Sequence, residues 1–72
     1  MTQIVIKRCL LQNILDKKGW SQLDLSIKTG LSTTQISEYT SGKRGMSLKN
    51  AILIAHVLGL YTQDLYEWII KL

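Results

Sequence analysis

Glycine punctuation constrains this chain more than any other feature. Gly19, Gly30, the Gly42 to Gly45 pair and Gly59 divide a proline-free sequence of 72 residues into segments of helical length, a pattern that predicts short helices joined by tight turns. Three of the segments open in the same way. Ser21-Gln-Leu-Asp24, Ser32-Thr-Thr-Gln35 and Ser47-Leu-Lys-Asn50 each set a serine three residues before a polar side chain. The serine hydroxyl can accept the unpaired third amide of the helix, and Gln35 can reach back to complete a capping box. Asp24 and Asn50 are less well suited to that return bond than Glu or Gln. Each cap stabilises its helix by about 1 kcal/mol.

From these marks a first helix is expected over Lys7 to Lys18, with Leu10, Leu11, Ile14 and Leu15 as its apolar stripe and Gly19 ending it. The second is expected over Gln22 to Thr29, the third over Thr33 to Ser41 and the fourth over Leu48 to Leu58. In the fourth, Leu48, Ala51, Ile52, Ala55 and Leu58 form one stripe, and Leu53, Ile54 and Val57 widen it nearly all round, so this helix belongs at the centre of the bundle. The tail reads two ways. Leu65, Trp68, Ile69 and Leu72 fit a helix face, whereas Tyr66, Trp68, Ile70 and Leu72 alternate as in a strand. We expect a short fifth helix from near Thr62 and then a strand, able to pair with the β-branched Ile4-Val5-Ile6. The fold class is therefore all-α: one domain over residues 1–72, a compact bundle of about five short helices, with a terminal strand pair as the only β structure the pattern admits.

A hydrophobic content of 46% is ample for a core, although a domain this small is marginally stable alone and gains from oligomerisation. Cys9 and His56 are single. Neither a disulfide nor a structural zinc site can be assembled from them, so Cys9 is expected as a small buried hydrophobe on the first helix and His56 on a helix surface. No apolar run reaches the ~18–20 residues that span a membrane, and the first residues lack the order of a signal peptide. A cytoplasmic location, no membrane, no cofactor and no small-molecule ligand are expected. Asp16, Asp24, Glu38, Asp64 and Glu67 are scattered over different segments without a nucleophile–base pair, which argues against an enzyme. The net charge of +4 points modestly to a polyanion, and its placement decides its meaning.

Thr29 to Gly45, TGLSTTQISEYTSGKRG, differs from the aliphatic remainder. Only Leu31, Ile36 and Tyr39 can fill a core here, and hydroxyls occupy half of the other positions. Leu25, Leu31, Ile36 and Tyr39 are the buriable positions around a small residue, Ser26, where two helices approach, and a glycine, Gly30, where the turn between them needs positive φ. That is the spacing of a helix-turn-helix. The chain resembles the phage Cro and repressor type of regulator, the Xre family, over about Leu10 to Leu65. The resemblance rests on Lys18-Gly-Trp-Ser-Gln22, Leu25, Thr29-Gly-Leu-Ser32, Ile36-Ser37, Gly42-Lys-Arg44, Ser47-Leu48 and Ile54-Ala-His-Val-Leu-Gly-Leu60.

The resemblance implies that the third helix enters the major groove of double-stranded DNA. Ile36, Tyr39 and Thr40 then turn inward, and Thr33, Thr34, Ser37 and Glu38 occupy base-reading positions. Short hydroxyls let a helix sit deep in the groove, and Glu38 can accept from a cytosine amino group. Phosphate contacts are expected from Gln22, Ser32, Ser41, Lys43, Arg44 and Ser47, whereas Lys17 and Lys28 serve solubility. Many relatives pair an arginine on the first helix with a glutamate at the end of the third. Here Leu15 and Thr40 stand at those places, so both charges are absent together and neither is buried alone. The family's proline before the fourth helix is Met46, which frees the loop from Gly42. The reading is a transcriptional regulator, a repressor, that binds a palindromic operator as a homodimer. Its interface draws on Trp68, Ile69, Ile70, Leu53 and Val57, with Trp68 or Ile70 packing inward. The alternative is a protein-interaction module, such as an antitoxin-like or mobile-element control protein.

Overall fold

A computed structural model describes residues 1–72. The element order is β1 (Gln3–Cys9), α1 (Leu11–Lys18), α2 (Gln22–Thr29), α3 (Thr33–Thr40), α4 (Leu48–Leu58), a 3-10 turn (Thr62–Leu65) and β2 (Tyr66–Lys71). The three serine caps form. Ser21, Ser32 and Ser47 accept the amides of Asp24, Gln35 and Asn50 at 3.1, 3.1 and 3.2 Å. Asp24 closes its box as well as Gln35 does, taking the Ser21 amide at 2.8 Å. Asn50 does not, because its side-chain amide donates to the Tyr39 hydroxyl at 2.9 Å and so ties α3 to α4.

Each helix contributes its inward face to one core, made of Leu11, Leu15, Leu25, Ile36, Tyr39, Ala51, Ile54, Ala55, Leu58 and Leu65. No polar or charged residue is fully buried. The inward stripe of α4 is Ala51, Ile54, Ala55 and Leu58. Leu48 and Ile52, expected in that stripe, are exposed. Three other short helices do not surround α4, so it has a solvent side despite its composition.

The fold is not purely α. The termini form an antiparallel pair, with Ile4 opposite Ile70, Val5 opposite Ile69 and Ile6 opposite Trp68. The first helix consequently starts at Leu11 instead of Lys7, because the strand that opens at Gln3 continues through Lys7, Arg8 and Cys9. Cys9 lies on this strand, half-buried, and not on a helix. There are four α-helices, and the expected fifth is one 3-10 turn. The third helix ends at Thr40, with Ser41 as its cap.

A bulge between Ile6 and Arg8 sets what the sheet shows to each side. It places Cys9 opposite Tyr66 and Arg8 opposite Glu67. In a regular ladder Arg8 would fall opposite Tyr66, whose ring packs against the core. The extra residue keeps the apolar Cys9 there, and Arg8 meets Glu67 at 3.7 Å on the other side. Leu10 N–H to the Leu65 carbonyl, at 2.8 Å, joins the base of the sheet to the helical body. Beyond that base the sheet projects, and the molecule measures 41 × 21 × 19 Å. Neither Trp68 nor Ile70 packs into the core as expected. Both are exposed on the projecting part and share a groove of about 400 Å3 with Ile4, Ile6 and Tyr66.

Candidate nucleic-acid interface

The turn between α2 and α3 is built from its own side chains. Gly30 takes φ +78°, which a β-branched residue resists. Ser26 donates to the Leu31 carbonyl at 2.6 Å. Thr29 donates to the Leu25 carbonyl at 2.7 Å and accepts the Leu31 amide at 3.2 Å. Ser26 therefore does more than provide a small side chain at the crossing: its hydroxyl fastens the chain as it leaves the turn. Leu25, Ile36 and Tyr39 are buried beneath the pair and pack α2 and α3 onto the same core.

On the outer side of this pair lies an open depression of about 480 Å3, lined by Gln22, Thr33, Thr34, Ser37, Glu38, Ser41 and Lys43, with no hydrophobic residue. All four expected base-reading residues are there, with three of the six expected phosphate-contacting ones. Ser32, at the start of α3, lies outside it. Arg44 and Ser47 line a neighbouring hollow, and Glu38 borders both.

Hydrogen bonding separates these residues further. Thr33, Thr34 and Ser37 are exposed, and their hydroxyls are engaged with nothing else in the chain. The Ser32 hydroxyl is committed to Gln35 as a cap. Ser41 donates to the Glu38 carbonyl at 3.2 Å. Arg44 reaches back to Glu38, Nε to Oε2 at 3.7 Å, and its amide donates to the Glu38 carbonyl at 3.2 Å. Glu38 thus stands beside a cation, its side chain only 24% exposed against 66% for Arg44. Lys43 is exposed and makes no ion pair. Lys28 and Lys18 lie over the Trp20 ring at 5.1 and 5.9 Å, away from the depression.

The loop that carries Lys43 and Arg44 is anchored where a proline would leave it free. The Met46 amide donates to the Tyr66 hydroxyl at 3.2 Å. A proline there has no N–H to give, so the substitution that was expected to loosen the loop supplies its fastening. Sequence reasoning also placed Thr40 simply inward. It is half-buried and accepts from Gln22 at 3.1 Å. Gln12 and Tyr66, both part of the support of this surface, carried no signal in the sequence beyond a polar residue on a helix and an aromatic one in an alternating tail.

A turn-locked helix pair with a polar outward helix defines a helix-turn-helix DNA-binding domain. Residues 11–65 match the helix-turn-helix family model, of the Xre type, and the chain belongs to that family of DNA-binding regulators. Among relatives, it is 35% identical over 69 residues to the SPbeta prophage-derived uncharacterized HTH-type transcriptional regulator YopS of Bacillus subtilis (strain 168), covering 94% of this chain and 93% of that one. It is also 42% identical over 57 residues, 75% of this chain, to the Replication factor C small subunit of Methanocaldococcus jannaschii, of whose length the match spans 3%. No helix is long and apolar enough to cross a membrane.

Proposed function

We propose that the protein is a sequence-specific transcriptional regulator, acting as a repressor, which binds a palindromic operator as a homodimer with α3 in the major groove. The supporting observation is the set of three unengaged hydroxyls, Thr33, Thr34 and Ser37, presented with Lys43 in a depression without hydrophobic lining. Exposed hydroxyls with no partner in the chain are free to meet base edges and phosphates. Glu38 reads a cytosine amino group beside them, and Lys43 with Arg44 meets the flanking phosphates. Ser32 and Ser47, at the starts of α3 and α4, and Ser41, at the end of α3, support the backbone contact. Covering an operator is enough to repress, and it needs no surface beyond the one that binds. The reading carries a cytoplasmic location with it.

A single recognition helix reads only a few base pairs, so selecting one site requires two copies. The exposed sheet favours this. A lone two-stranded sheet is marginal in water, and Ile4, Ile6, Trp68 and Ile70 leave one side of it apolar and uncovered. We place the dimer contact on that side. Ile69 lies on the opposite side of the strand with Val5. Leu53 and Val57 are half-buried on α4, with Val57 packed against the core, so the contact centres on Trp68 and Ile70.

The test is selection of bound duplexes from a random pool, followed by a salt series. Enrichment of an inverted repeat, with half-sites roughly 34 Å apart and affinity falling steeply with salt, supports the reading. The same exposed sheet favours the second reading, a protein-interaction module. Salt-insensitive, unselective DNA binding would favour that one.

A further inference from the structure

Three polar side chains from three helices meet at the C-terminal end of α3. Gln22 Nε2 donates to Gln12 Oε1 at 2.9 Å and to Thr40 Oγ1 at 3.1 Å. Gln12 Nε2 donates in turn to Asp16 Oδ1 at 2.8 Å, and Thr40 Oγ1 donates to the Ser37 carbonyl at 3.0 Å. The direction of every bond follows from one end. An ionised carboxylate only accepts, so Asp16 draws the amino group of Gln12 toward itself and leaves the Gln12 carbonyl facing Gln22. Gln22 must then present its own amino group. The hydroxyl proton of Thr40 is spent on Ser37, so Thr40 receives the second Gln22 proton.

A carboxamide has two amino protons, and both of Gln22's are committed inside the protein. A phosphate oxygen accepts and cannot donate. Gln22 can therefore serve a phosphate with its side chain only by releasing α1 or α3. We infer that Gln22 acts at this interface as a strut and not as a phosphate donor, and that Gln12 and Thr40 are positioning residues that hold α3 at its reading angle. This rests on the DNA-binding reading above. The tie is placed to matter, because Thr40 fastens to the carbonyl of Ser37, in the turn whose side chain faces the depression. It also includes Thr40, one of the two positions where the resemblance implies an arginine–glutamate pair, while the other, Leu15, is buried in the core. A directional chain of hydrogen bonds from Asp16 to Ser37 joins the three helices there.

The experiment compares Thr40→Val, Gln12→Leu and Gln22→Ala, singly and combined, in the full chain at a temperature where circular dichroism shows each folded. Affinity is measured for a duplex selected by the wild type and for a random duplex of equal length. Each single variant should lose roughly 2–10-fold on the selected duplex, the scale of one hydrogen bond, and keep wild-type affinity for the random one. Gln22→Ala should add no further loss in a Thr40→Val, Gln12→Leu background, because all three remove one unit. Loss with Gln22→Ala on both duplexes alike, beside wild-type binding by Thr40→Val and Gln12→Leu, makes Gln22 a direct phosphate contact and overturns the inference. Lower melting temperatures with an unchanged ratio of selected to random affinity overturn it too, since the tie would then serve stability alone. A wild type that selects no sequence overturns the DNA-reading function itself, and the role of the tie with it.

Discussion

At the scale of single residues, the site combines one acid and two cations with different commitments. Glu38 shares its carboxylate with Arg44, whereas Lys43 is unpaired. Glu38→Ala should relax preference at one base pair of each half-site by roughly 1–3 kcal/mol and raise affinity for random duplex, because a repelling charge goes and Arg44 is released. Lys43→Ala should weaken all duplexes alike and flatten the salt slope by about one phosphate's worth of released counterion. Binding isotherms on matched and mismatched duplexes, in a salt series, check both. Cys9 gives a residue-level test of the strand. Burial raises its thiol pKa above the ordinary value, and a hydrogen bond from the Leu11 backbone offsets part of that. The unfolded thiol ionises first as pH rises, so the fold's advantage is whole below about pH 8.5 and declines above it. Chemical denaturation across that range should show a decline that Cys9→Ala reduces, and alkylation at pH 8 should be slower in the folded chain.

At the scale of elements, the turn between α2 and α3 is the part most open to test. Gly30→Val demands φ near +78° of a β-branched residue, and Ser26→Leu both removes the bond to Leu31 and forces the two helices apart. Both should lower the melting temperature severely or unfold the domain, and Ser26→Ala should cost about 1 kcal/mol. Thermal denaturation of the three separates hydroxyl from bulk. The turn was legible in the sequence because its causes are local: a glycine at positive φ, a serine cap, a small residue at a crossing. The start of α1 was not. Lys7 to Cys9 precede a good helical stripe, and only the distant tail, by offering a partner strand, draws them into β1. For the same reason periodicity puts Leu48 and Ile52 in the inward stripe although both are exposed, since it finds apolar faces without saying which has a neighbour. The outward set Thr33, Thr34, Ser37 and Glu38 was legible from helical phase alone. The Gln12–Gln22–Thr40 tie joins three helices, and no spacing along the chain announces it.

At the scale of the whole molecule, the reading face and the sheet lie in different parts of one small body. Ile70→Glu places a charge among Ile4, Ile6 and Trp68 and should give a folded monomer that binds DNA weakly and without selection. Ile69→Glu, across the strand, should remain a dimer. Sedimentation with a parallel DNA titration distinguishes them. If the two variants behave alike, the contact is not on the Ile4 side of the sheet. The sheet also has a kinetic meaning. Pairing Ile4 with Ile70 closes a loop of nearly the entire chain, an entropic cost of about 4 kcal/mol that contacts within and between successive helices do not meet. The helical body should therefore fold before the strands zip together, and the strands should open first. Amide hydrogen exchange in β1 and β2 should run faster than in α1 and α4, and the difference should narrow as concentration rises and a second copy covers the sheet. On each such opening α3 stays in place while the apolar side of the sheet is lost, so in the proposed homodimer the lifetime of the pair on its operator should be set by the strands and not by the turn.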